Sequence, residues 1–229
     1  VDLIVKSKPN LEKNYKYDVE AHHKLAQRVA EGSMTLLKNE ESILPLKSGQ
    51  KVAVIGELAK SPRFQGAGSS VINATKLDNA YDCLVSLGVD VTYAQGYEKG
   101  KDVINSQLVS EAAAAAKAAD VAVVFAGLTE EFEGEGYDRA DINMPSCHNN
   151  LISEVVKANP NTVVVLAGGS VVYMPWVNEV KGLLNSGLGG QATGAAVANI
   201  LTGKVNPSGK TAETYPLRFE GNPTYGNYP

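Results

Sequence analysis

Six consecutive apolar residues, Val121-Ala122-Val123-Val124-Phe125-Ala126, constrain this chain more than any other stretch. A run with no polar residue on either face has no side to give to water, so as a strand it must be covered above and below. Similar short apolar runs stand at 52–55, 89–93, 162–167 and 182–185. Helix-like stretches separate them, at 76–87, 107–119, 147–158 and 191–201. Strands buried on both faces that alternate with helices of about ten residues build a parallel sheet with helices on each side. The expected fold is a three-layer α/β/α sandwich with a mostly parallel sheet of about six strands, the last at 211–214.

The flanks differ in character. Residues 1–48 are polar, with helical spacing over 19–37 that lets Leu25, Val29, Ala30 and Leu36 share one face, and Pro45 closes the segment. We expect a lead-in segment at 1–48, the sandwich domain at 49–216, and a surface-hugging tail at 217–229. The start, VDLIVKSKPN, has neither an initiating Met nor a signal-peptide pattern and is expected to be the cut end of a longer polypeptide, with any targeting information upstream. The alanine run 112–116 is flanked by Glu111 and Lys117 and suits a helix packed closely on a sheet.

Composition removes several functions. The net charge is −4 and the basic residues are scattered, so no stripe exists for a phosphate backbone or an anionic membrane surface. No apolar run approaches the roughly 20 residues of a membrane-spanning helix. Cys83 and Cys147 stand outside any Cys/His spacing and are expected to be free, buried or half-buried thiols, with neither a disulfide framework nor a zinc site. His22-His23 and Cys147-His148 are adjacent pairs, which point apart on a helix and do not converge on a metal. Gly209-Lys210-Thr211 lacks the upstream glycine spacing of a phosphate loop, and the glycines between Gly187 and Gly194 lack dinucleotide spacing.

The chemistry is expected beyond the central strand. The segment Glu130-Glu131-Phe132-Glu133-Gly134-Glu135-Gly136-Tyr137-Asp138-Arg139 follows the apolar run directly. A buried parallel strand that ends in a glycine-flanked acidic loop puts proton-transfer groups at the edge where open α/β sheets carry their sites. Glu135, between Gly134 and Gly136, has the most freedom to enter a ligand site. Glu130, Glu131 and Glu133 are rivals, since neighbouring carboxylates raise one another's pKa. Asp138 and Arg139, opposite in charge, suit loop anchoring by charge-assisted hydrogen bonds. A second loop, Gln65-Gly66-Ala67-Gly68-Ser69-Ser70, combines glycines that permit close backbone approach with two hydroxyls for hydrogen bonding, so Gly68, Ser69 and Ser70 are candidate ligand-binding residues.

Four ordered motifs give these loops a family. GEGYDR followed by Ile142-Asn143-Met144-Pro145, LLKNEESILPL at 36–46, QGAGSS at 65–70 and NPSGKTAETYP at 206–216 together resemble the second, non-barrel domain of family 3 glycoside hydrolases. The resemblance extends from about Tyr17 to the end of the chain. It implies a retaining β-glycosidase of the β-glucosidase type, acting on terminal β-D-glucosyl residues of β-linked glucosides or oligosaccharides. It matches Glu135 to the acid/base, with Glu133 as the nearest rival, and Ser69 to a serine that faces the sugar. The partner it implies is an upstream (β/α)8 barrel that supplies the nucleophilic Asp, absent from this chain. No metal or organic cofactor is implied, because two carboxylates suffice for retention. The family tends to have a glutamine near His148, so this chain departs from the pattern there. The competing expectation is a non-catalytic, doubly wound ligand-binding or interaction domain whose acidic loop is a docking surface.

Overall fold

The structure, a computed structural model, describes residues 1–11 and 16–227; residues 12–15 of the lead-in and 228–229 of the tail lie outside it. Two helices, α1 (Asp2–Leu11) and α2 (Val19–Ser33), lead into β1 (Thr35–Asn39). Then follow β2 (Lys51–Ile55), α3 (Ala80–Ser86), β3 (Asp90–Ala94), α4 (Ser106–Lys117), β4 (Val121–Gly127), α5 (Ser146–Ala158), β5 (Thr162–Ala167), β6 (Gly182–Asn185) and α6 (Thr193–Leu201). The six strands form one sheet in the order β1-β6-β5-β4-β2-β3. All neighbours are parallel except β1, which runs antiparallel to β6 with a register shift between Leu36 and Lys38. Helices α4 and α5 pack together on one face, and α6 lies between α2 and α3 on the other, which makes the expected three-layer sandwich.

The apolar runs explain the core. Every residue of β4 and β5 is buried, because each of these central strands has neighbours on both sides and helices on both faces. Local signals start the helices: the side chains of Asp18, Asn79 and Asn105 accept from backbone amides in the first turns of α2, α3 and α4. Helix α5 follows Pro145, which has no side chain to cap with. Asp102 does the work from another loop, accepting from Ser146 Oγ at 2.7 Å and Cys147 N at 2.9 Å.

Three expectations are corrected. The lead-in helix ends at Ser33, and the following residues form β1, so the sheet reaches back across the boundary expected at 48/49. Intrinsic helix preference is a weak determinant even for leucine, a good helix former, and pairing with the open edge of β6 outweighs it. Leu25 and Val29 are 49% and 63% exposed. The buried face of α2 is instead His23, Ala30 and Glu31, tied by polar bonds such as His23 Nε2 to Asp78 Oδ2 at 2.7 Å and Asn199 Nδ2 to Glu31 Oε1 at 2.7 Å. Third, 211–214 is not a strand. The edge it would join is held by β1, and the tail docks through the Tyr215 hydroxyl, which accepts from Asn185 Nδ2 at 2.9 Å.

Cys83 is half-buried and Cys147 buried, both free, and burial pushes each thiol up to about 11. His148, beside Cys147, is wholly enclosed at the end of β4. Its ring lies 3.9 Å, centroid to centroid, from that of Tyr97, and Nδ1 accepts from Gly127 N at 3.3 Å, which requires that nitrogen to be bare. Burial pushes its pKa down to about 4, against the opposing pull of the Asp102 carboxylate. A histidine held neutral in the fold and free to charge when unfolded gives stability that is complete above the unfolded pKa, about 6.5, and lost as pH falls toward 4. The loss across that window is on the order of 3 kcal/mol. His148→Gln, whose amide oxygen can still accept from Gly127, is expected to flatten that part of the stability-pH curve, read by denaturant melts at pH 7, 5.5 and 4.5.

Candidate active site

The strand order reverses between β2 and β4, since β2 sends its crossover to β3 on one side and the chain then returns to β4 on the other. At such a switch point the loops leaving the two strands part and open a crevice at the carboxyl edge. The serine loop follows β2 and the acidic loop follows β4, so the two motifs flank this crevice.

Each loop is shaped by its own residues. In the serine loop the Gln65 amide clamps Ile72, donating to its carbonyl at 3.0 Å and accepting from its N–H at 3.0 Å. Val71 N donates to Gly68 O at 3.1 Å and closes a tight turn. In the acidic loop Gly134 and Tyr137 form an antiparallel bridge, which leaves Glu135 and Gly136 as the two-residue tip of a small hairpin. The Tyr137 hydroxyl donates to Glu130 O and holds the hairpin against the loop base.

The tips meet. The Glu135 carboxylate accepts from Ser69 N at 2.6 Å and from Ser69 Oγ at 2.6 and 2.8 Å. These donors, the hydroxyl first and the amide second, hold the exposed Glu135 carboxyl below the usual range. Gly68 makes the approach possible. Its φ is +94°, and a Cβ there would stand 2.6 Å from Glu135 Cβ. A cavity of about 370 Å³ opens beside the pair, with Ser70 and Glu133 also on its wall.

The rival carboxylates are occupied otherwise. Glu133 accepts from Gly169 N at 2.9 and 3.1 Å and from Ser170 Oγ at 2.7 Å, in the loop after β5, and lies 3.8 Å from Arg63 Nη2. Glu131 accepts from Thr129 Oγ1 at 2.6 Å, which lowers its pKa, and packs toward Gly100, away from Ser69. Glu130 is exposed at the loop base. Arg139 bonds Ser170 Oγ at 3.0 Å, Val171 O at 2.8 Å and Asn143 O at 2.9 Å, while Asp138 points outward and forms none of these bonds. The anchoring expected of the Asp138-Arg139 pair therefore rests in the structure on the arginine. Among the described residues no three His, Cys, Asp or Glu side chains converge as metal ligands.

Sequence reasoning missed Arg63 and the pair Gly169-Ser170. Nothing in the string Ser61-Pro62-Arg63-Phe64 marks an arginine as buried, and Gly169-Ser170 looks like an ordinary turn until β5 is placed beside β4.

Comparison with known proteins agrees with this architecture. The model of the glycosyl hydrolase family 3 C-terminal domain matches residues 34–229. Thermostable β-glucosidase B of Acetivibrio thermocellus is 48% identical over 223 residues, covering 96% of this chain and 30% of the relative. An exo-α-(1→6)-L-arabinopyranosidase of Bifidobacterium breve is 41% identical over 240 residues, covering 100% of this chain and 32% of the relative. The crystal structure of a family 3 β-glucosidase of Bifidobacterium adolescentis superposes with a TM-score of 0.95 at 43% identity, over 100% of this chain and 34% of that one. The chain thus spans about a third of the length of these relatives. A doubly wound sheet with a serine loop and an acidic loop at its switch point, matched by the family model over nearly all of its length, belongs to glycosyl hydrolase family 3 as the C-terminal domain.

Proposed function

We propose that this domain serves a retaining β-glycosidase of the β-glucosidase type, with Glu135 as the acid/base and with the nucleophilic Asp on a (β/α)8 barrel elsewhere in the full-length protein. The observation that carries this reading is the Ser69–Glu135 contact: of the loop's glutamates, Glu135 alone is carried to a hairpin tip beside the serine loop, on an open cavity. In the first step the protonated Glu135 carboxyl gives its proton to the departing glycosidic oxygen while the Asp carboxylate bonds the anomeric carbon. In the second it takes a proton from water as water displaces the Asp. No cofactor enters either step.

The Ser69 donors bear on the first step. Hydrogen bonds from Ser69 favour the charged form of Glu135, whereas a general acid must be protonated. A glycoside whose oxygen takes the place of those donors removes that bias and favours the proton where it is needed. Ser69 and Ser70 then form one wall of the sugar site, and Gly68 lets Glu135 approach it. The relatives are named for a β-glucosidase and an α-L-arabinopyranosidase at similar identity, so we place the choice of sugar mainly on the barrel.

The test is the pH dependence of kcat/KM, which reports groups of the free enzyme. In the full-length protein acting on aryl β-D-glucosides, activity falls on the alkaline side as the acid loses its proton. Ser69→Ala removes a donor that stabilises the carboxylate, so the Glu135 pKa rises and the alkaline limb should move to higher pH. An unmoved limb, or one moved to lower pH, contradicts the assignment, and no hydrolysis of any aryl glycoside by the wild-type protein contradicts the function.

A further inference from the structure

Arg63 is the one strongly basic side chain among the described residues that the fold buries almost completely, at 3% exposure, and neither step of the proposed reaction uses it. It leaves the chain between β2 and the serine loop. Its Nε donates to Gln65 O at 2.7 Å, at the root of the serine loop. Its Nη2 donates to Glu133 O at 3.2 Å, two residues before Glu135 in the acidic loop, and lies 3.8 Å from the Glu133 carboxylate. One planar fork thus ties together the backbones of the two loops whose tips meet at Ser69 and Glu135.

Stability does not explain this residue. A guanidinium taken out of water is costly unless every arm is satisfied, and Nη1 is buried with no partner among the described residues. A neighbouring apolar wall of Phe125, Val165 and Val197 would accept a hydrocarbon side chain without that cost. A fold that keeps a partly satisfied charge at such a place spends stability on geometry, and the geometry in question is the separation of the two loops. Lysine cannot substitute, because an ammonium on a flexible stem is a point donor and lacks the rigid fork that spans two carbonyls.

We propose that Arg63 is a positioning residue for the acid/base: by bridging Gln65 O and Glu133 O it sets the distance between Ser69 and Glu135, and so places the proton over the departing oxygen. This rests on the assignment of Glu135 made above. Displacing a catalytic group by about 1 Å can cost on the order of 100-fold in rate, and the cost here should fall on the step that needs the proton.

The experiment uses the full-length enzyme and compares Arg63→Lys with Glu135→Gln on a β-linked disaccharide and on a dinitrophenyl β-glucoside, with thermal melts of each variant. Arg63→Lys is expected to lower kcat/KM, which reports bond cleavage, by about 10- to 100-fold on the disaccharide and by less than about 3-fold on the dinitrophenyl glucoside. Its alkaline limb should move to higher pH, as for Ser69→Ala, because the Ser69 donors no longer reach Glu135. Equal losses on both substrates, or an unmoved limb, would overturn the proposal by making Arg63 a general structural or substrate-binding residue. If Glu135→Gln shows the leaving-group dependence and Arg63→Lys does not, Arg63 alone is misassigned; if Glu135→Gln lacks it, the acid/base reading falls and takes this proposal with it. Should Arg63→Lys fail to fold, Arg63→Gln, which keeps an amide donor, carries the same comparison. Failure of both to fold also overturns the proposal, because the fork would then be a requirement of the fold.

Discussion

Glu135→Gln in the full-length enzyme is expected to slow hydrolysis of a β-linked disaccharide by about 10²- to 10⁴-fold, the usual worth of a general acid. The loss should depend on the leaving group. A sugar alkoxide must be protonated as it departs, whereas a dinitrophenolate leaves unaided, so bond cleavage in the dinitrophenyl glucoside should hardly change. Glutamine keeps the size of the side chain and can still accept from Ser69, so the hairpin tip has no reason to move. Glu133→Gln is the control. Its carboxylate binds Gly169 and Ser170, and the Arg63 bond goes to its main-chain carbonyl, which the substitution leaves in place. That variant should affect both substrates alike. A leaving-group dependence at position 133 instead of 135 would reassign the acid/base within the same loop.

The largest expected effect on folding comes from Gly127, the last residue of β4. Its φ is +146°, and a Cβ built there overlaps the Ala167 carbonyl oxygen and lies 2.7 Å from that residue's carbonyl carbon and 2.8 Å from its nitrogen. These are backbone atoms of the neighbouring central strand, paired in register with Gly127, so no side-chain rotation relieves the overlap. Gly127→Ala must strain its own backbone and part β4 from β5, at a cost of about 3–5 kcal/mol. For a domain of this size that lowers Tm by roughly 10 °C. Gly136 is the contrast, because its Cβ would meet nothing within 4 Å and its φ lies outside the left-handed region. Gly136→Ala should stay within about 0.5 kcal/mol of wild type. Equal melting of the two variants would show that the strand ends are not packed as described.

The runs at β2, β4 and β5 are visible because a strand buried on both faces leaves a continuous apolar signal that no amphipathic helix imitates. The helices between them announce themselves through Asn79 and Asn105 caps and the alanines of α4. Strand β1 was hidden, since Thr-Leu-Leu-Lys-Asn carries no strong local preference and gains its conformation from the edge of β6. The polar burial of α2 was hidden for a related reason: His23 and Glu31 are inside only because Asp78, Gln191 and Asn199 come from distant parts of the chain to meet them. At the candidate site, the acidic and serine loops stand out in the sequence as motifs, and the string GEGYDR resembles a family. Their contact was not legible, nor was the arginine that joins them, because both depend on β2 and β4 lying side by side across 66 residues of sequence separation between Ser69 and Glu135.

The most direct measurement is the configuration of the product formed when azide is supplied to Glu135→Ala turning over a dinitrophenyl β-glucoside, read by proton NMR of the isolated glucosyl azide. The dinitrophenyl group lets the first step proceed without an acid, and the shortened side chain leaves room for the anion on the face where Glu135 would have activated water. If the nucleophilic Asp stands on a barrel as proposed, azide displacing it from a covalent intermediate arrives on that face, and faster turnover with azide and a β-glucosyl azide product are expected. An α-glucosyl azide would mean that the missing carboxylate was the nucleophile, and no azide product with no rate increase would mean that Glu135 takes no part in either step.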